Sequence, residues 1–101
     1  MSWRPSVDIY SSRQGWLIKF ELAGVSLQDI SVKVRGSRLT LSGYRRDLSV
    51  KEGWSHYSLE IAYSRFERTI ELPCDLERAV IITEYRDGLL LICVTSEGER
   101  R

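Results

Sequence analysis

Apolar and polar residues alternate with a period of two through most of this chain, as in half-buried strands, whereas runs at helical spacing are scarce. In residues 6–10, S-V-D-I-Y, Val7 and Ile9 share a face, and a turn at Arg13, Gln14 and Gly15 leads into W-L-I-K-F-E-L. There Trp16, Ile18, Phe20 and Leu22 are predicted to point inward, completing a hairpin before Ala23 and Gly24 break the strand. Ser26 and Asp29 suggest a short capped turn, after which Ile30, Val32 and Val34 alternate with Ser31, Lys33 and Arg35. Gly36 and Ser37 turn the chain into a strand carrying Leu39 and Leu41, which ends at Gly43. Residues 44–58 are mostly polar, with Leu48, Val50 and Trp54 among them, and are long for a hairpin loop. Strands resume at 66–72, where Phe66, Arg68, Ile70 and Leu72 share one face, and Pro73 stops the ladder. A last hairpin joins 79–85 to the apolar run 89–94 through Arg86, Asp87 and Gly88. Seven or eight short strands without internal repeat predict an all-β, immunoglobulin-like sandwich of two antiparallel sheets.

At 101 residues the chain suits one domain, and its 43% hydrophobic and 29% charged residues suit a packed core. Fifteen Lys and Arg balance 14 Asp and Glu, so there is no global field to recruit nucleic acid. Trp3, Trp16, Tyr57 and Tyr63 could stack on bases, but without a basic surplus they are read as structural. No apolar run approaches the ~20 residues of a membrane helix, and M-S-W-R-P-S-V-D-I-Y lacks the form of a signal peptide. The expectation is a cytoplasmic protein with neither membrane nor nucleic-acid partner. Cys74 and Cys93, without a CxxC, are read as structural thiols; the alternative is a disulfide, which needs Cα atoms within ~7 Å. His56 is the only histidine, and GxGxxG, P-loop, GxSxG and HExxH motifs are absent. No catalytic, metal or cofactor site is expected.

The segments V-D-I-Y, F-E-L-A-G-V and I-S-V-K-V-R-G-S-R-L-T-L-S-G follow one another in an order that resembles the α-crystallin domain of small heat-shock proteins, bacterial type. Glu60, then Y-S-R-F-E-R at 63–68, Leu72-Pro73 and Y-R-D-G-L-L at 85–90 continue the resemblance, which covers roughly residues 5–94. The chain departs from the family pattern at Ala23, Ser64 and Thr83, and Thr95 and Ser96 stand where a proline is usual. The sequence starts near the first strand and ends soon after the last; Ile92-Cys93-Val94 fits the family's tail tripeptide but reads as core strand.

The resemblance implies a single domain over 1–101 and an ATP-independent holdase that binds partly unfolded client proteins and limits their aggregation. The alternative is a CS-type co-chaperone domain with one defined partner. With short ends, the implied assembly is a homodimer or small oligomer. Arg68 matches the family's interface arginine, with Glu60 or Asp87 as partner, or with its head reaching water. The long loop resembles the segment that carries an extra strand to a partner subunit, which makes Leu48, Val50, Trp54 and Tyr57 interface residues alongside Arg68 and Glu60; the alternative is a loop folded over its own sheet with Trp54 covering the core. Ile30, Val32, Val34, Val80, Ile81, Ile82 and Leu90 resemble the borders of the family's apolar groove. Period two lets either Ile81 and Thr83 or Val80 and Ile82 face the core, leaving the other pair outside.

Overall fold

The structure is a computed structural model that describes residues 3–96. Among the described residues, seven strands form two antiparallel sheets. The first sheet orders β1 (Val7–Ser12), β2 (Gly15–Glu21), β7 (Leu89–Thr95) and β6 (Val80–Arg86) as β1-β2-β7-β6; the second orders β3 (Ile30–Arg35), β4 (Arg38–Tyr44) and β5 (Arg65–Glu71) as β3-β4-β5. The sheets stack as a sandwich, as the alternation predicts. Two 3-10 turns, Leu27–Asp29 and Leu76–Arg78, lead into β3 and β6. In the first, the Asp29 N–H donates to the Ser26 carbonyl, without a side-chain cap.

Because side chains alternate across each strand, every second residue of β2, β4, β5 and β7 enters one shared core. Ile18, Phe20, Leu39, Leu41, Phe66, Ile70, Leu90, Ile92 and Val94 are buried there, with Leu22, Val25, Leu72 and Leu76 closing its ends. Trp16 and Val7 are half-buried against this cluster, and Ile9, near the middle of the edge strand β1, is exposed. The tight turn at Asp87 and Gly88 has positive φ at both residues, the geometry that matches strand twist. Its Gly88 carbonyl accepts from the Leu22 N–H at 2.7 Å. Nearby, the Tyr85 hydroxyl lies 2.7 Å from the carbonyls of Leu22 and Val25 and donates to one at a time. These bonds tie β6 to the link between β2 and β3.

Both cysteines are free thiols, so the disulfide alternative is not realised. Cys93 points outward from β7 and is exposed, whereas Cys74 is half-buried beside the second 3-10 turn. Burial, and after it the charge of Asp75, pushes the Cys74 thiol above its ordinary value. Folding therefore favours the protonated thiol. That stability is fully present below the ordinary thiol range and declines as pH rises through the raised value. A thiol reagent at neutral pH is expected to modify Cys93 rapidly and Cys74 slowly. Alkaline unfolding curves should show a loss of stability that Cys74→Ser reduces; equal modification rates, or identical curves, would contradict this placement.

Among the described residues no helix is long and apolar enough to cross a membrane, and no cluster of His, Cys, Asp or Glu could hold a metal. After the last core residue, Thr95 still belongs to β7, and residues beyond Ser96 lie outside the described residues.

Candidate functional site

Two features of the surface are not explained by stability alone. The first lies where the two sheets expose neighbouring edges. β3 and β6 are both edge strands, and between them runs a groove of about 350 Å³ lined by Leu27, Ile30, Val32, Val34, Ile81, Thr83 and Leu90. Ile30, Val32, Val34 and Ile81 are half-buried against the core, so one flank of each side chain packs while the other faces the groove. Outer edges also present unpaired backbone N–H and C=O groups. The groove thus offers apolar contacts beside backbone donors and acceptors.

The register of β6 decides which of its residues take part. Ile81 pairs with Val94 and Thr83 with Ile92, both core residues of β7, so Ile81 and Thr83 point inward and line the groove. Val80 and Ile82, opposite Thr95 and Cys93, therefore belong to the other face of the sheet, where Ile82 is 65% exposed. Placing those two among the groove residues is corrected by this period-two register; Ile30, Val32, Val34, Ile81 and Leu90 do line it. Leu27 and Thr83 also line it and were missed as groove residues. Leu27 sits in a turn without periodic signal, and Thr83 is polar.

The second feature is the segment 45–64 between β4 and β5, which contains no strand in the protomer. Among the described residues, its backbone-to-backbone bonds are one at the root, Arg45 N–H to the Ser64 carbonyl at 2.9 Å, and one at a turn, Trp54 N–H to the Lys51 carbonyl at 3.3 Å. The molecule measures 57 × 22 × 19 Å with a radius of gyration of 16.2 Å, against about 13 Å for a compact chain of this length. Large apolar side chains crowd this arm. Leu48 is 71% and Trp54 74% exposed, Tyr57 is fully exposed, and Val50, Leu59, Ile61 and Tyr63 are exposed as well. Val50, Trp54, Tyr57, Leu59, Ile61 and Tyr63 line an open concavity of about 770 Å³. Leu59, Ile61 and Tyr63 alternate with Glu60 and Ala62, a strand pattern that could have been read from sequence.

Arg68 sits on the inner face of β5, half-buried, opposite Leu41. Its Nη1 donates to the Pro5 carbonyl, while Nε is enclosed without an acceptor. Burial, and secondarily the charge of Arg4, holds its pKa below the ordinary arginine value. Within the protomer neither Glu60 nor Asp87 pairs with it among the described residues; the acceptor that meets Nη1 is a carbonyl from the segment before β1. His56 lies exposed on the arm.

Against known proteins, a family model described as Hsp20/alpha crystallin family matches residues 8–101. Small heat shock protein C2 of Rickettsia felis is 27% identical over 95 residues, covering 94% of this chain and 62% of the relative. Heat shock protein 16 of Schizosaccharomyces pombe is 30% identical over 91 residues, covering 87% and 63%. The solved structure of heat shock protein 16.0 from Schizosaccharomyces pombe superposes with a TM-score of 0.82 at 26% identity, covering 99% of this chain and 93% of that one. The chain spans about three-fifths of the length of several curated relatives, including that from Rickettsia felis, and a smaller share of others.

Proposed function

We propose that this chain, which belongs to the Hsp20/alpha crystallin family and so to a family of chaperones, is an ATP-independent holdase that captures extended apolar segments of partly unfolded proteins. The observation that carries this reading is the groove between β3 and β6. A non-native segment in extended form can pair with an open strand edge while its alternate side chains enter the apolar trough. Binding the unfolded state keeps it from aggregating by mass action, and no nucleotide is required.

The arm supports a strand-exchanged homodimer. An alternating segment with apolar side chains and unpaired backbone is satisfied when it adds to an open edge of a second copy. Edge strand β1 carries exposed Ile9 and Tyr10 and offers such an edge. On this reading Glu60, Leu48, Val50, Trp54 and Tyr57 travel with the arm. Arg68 acts from behind, bracing through Pro5 the segment from which β1 departs. Working in the cytoplasm on stress-damaged proteins is part of the same proposal.

The test is light scattering from a heated, aggregation-prone protein, without ATP, with increasing amounts of this chain. Suppression is expected near stoichiometric ratios. Val32→Thr together with Ile81→Thr keeps β-branching and strand propensity while making the groove polar. That pair should cut capacity by roughly threefold to tenfold, with circular dichroism and dimer mass unchanged. Full suppression by the polar-groove variant would move client capture elsewhere; no suppression by the folded parent chain would reject the holdase.

A further inference from the structure

Arg45 is the first residue after β4 and hence the first of the arm. Its backbone N–H closes the arm's root on Ser64, and its side chain reaches three further parts of the molecule. Nε donates to the Ala62 carbonyl on the returning limb at 2.9 Å, and Nη1 donates to the Ala23 carbonyl between β2 and β3 at 3.2 Å. The guanidinium face lies over the Trp3 ring, 3.7 Å from its centroid, with the Tyr63 ring 6.0 Å away. Trp3 itself meets Phe66 of β5 edge-on, with centroids 5.2 Å apart. A planar guanidinium has its donors in a rigid fork, so carbonyls at its edge and an indole on its face fix both its position and its tilt. The adjacent arginine braces the other side: Arg46 Nε meets Asp29 Oδ2 at 3.2 Å.

We infer that Arg45 is a latch through which the N-terminal segment, docked by Trp3, sets the direction in which the arm leaves the sandwich. With Trp3 in place the guanidinium is clamped between an indole and two carbonyls, and the returning limb is held at Ala62. When Trp3 lifts away, the guanidinium loses the surface that fixes its tilt and the root can swing. The latch is a geometry of one protomer; its consequence, control over delivery of the arm to a partner, rests on the strand-exchange reading.

Pulsed electron paramagnetic resonance between spin labels at Glu52→Cys on the arm and Lys33→Cys on β3, with Cys74 and Cys93 changed to serine, measures the spread of arm directions. Labelled chains diluted into unlabelled ones report distances within one protomer. Trp3→Leu keeps an apolar contact with Phe66 but removes the indole face, and Arg45→Lys keeps the charge but removes the planar fork. Each is expected to broaden the distance distribution about twofold, and the two together no further, because they break one device. An unchanged width in Trp3→Leu, or widths that add in the pair, overturns the latch. Light-scattering mass of the same samples decides the other question: a monomeric parent rejects the exchanged dimer while the widths still decide the latch.

Discussion

Replacing Trp54 and Tyr57 together by alanine is expected to raise the dimer dissociation constant by about a hundredfold or more, while the melting temperature of the sandwich in the dissociated protomer stays the same. The reasoning turns on exposure. In the protomer Trp54 is 74% exposed and Tyr57 fully exposed, and neither packs on the core. Truncating exposed side chains away from special features changes protomer stability by no more than ~0.5 kcal/mol. Any large effect must therefore arise between molecules. Aromatic anchors at an interface commonly cost ~2 kcal/mol or more each when truncated, and a hundredfold corresponds to about 2.7 kcal/mol. Analytical ultracentrifugation over a dilution series gives the constant, and a thermal melt at the lowest concentration gives the protomer's stability. An unchanged dissociation constant would remove the arm from the interface. A lowered protomer melting temperature would mean that the arm folds back on its own sandwich.

How much of this was legible in the sequence follows from where local pattern and tertiary context agree. In β2, β4 and β5 the period-two alternation marks the buried face, because those strands have a wet side and a dry side; Ile18, Phe20, Leu39, Leu41 and Ile70 fall where the pattern puts them, whereas the apolar run of β7 does not choose between its faces. β6 was ambiguous because V-I-I-T carries apolar residues on both faces, and only its register against β7 assigns Ile81 inward and Ile82 outward. Arg68 could be placed on the apolar face by alternation, but its acceptor could not. The Pro5 carbonyl lies 63 residues away in sequence and is a backbone group, which no side-chain pattern reveals. Length and the isolated Leu48, Val50 and Trp54 mark 44–58 as more than an ordinary hairpin loop, but those bounds stop short of the strand-like second limb, Leu59 to Tyr63. Arg45 was one basic residue in a polar stretch; its importance comes from standing where both ends of the arm meet the N-terminal segment.

Gly43→Ala is expected to destabilise the domain by ~3 kcal/mol or more, lowering the melting temperature by roughly 12–24 °C. β4 is the central strand of its sheet, and Gly43 stands between Ile30 of β3 and Phe66 of β5 on the inward face. A Cβ there would lie 2.0 Å from the Asp29 carbonyl oxygen and 2.7 Å from Cζ of Phe66. No rotamer relieves the first contact, since the backbone fixes the Cβ and the oxygen is itself a backbone carbonyl, and Phe66 is buried with Trp3 packed against it in a T-shaped pair. Relief requires β3 and β4 to part, and partners on both sides resist that. Gly36→Ala isolates the other reason for a glycine: its φ is +61°, but a Cβ there would meet nothing within 4 Å. That variant should cost only ~1 kcal/mol, the strain of the left-handed conformation alone. Chemical denaturation of the two variants side by side separates crowding from backbone strain. A Gly43→Ala cost no greater than that of Gly36→Ala would mean that β3 does not approach β4 as closely as this packing requires. The groove wall and the arm's root, which both build on that approach, would then have to be redrawn.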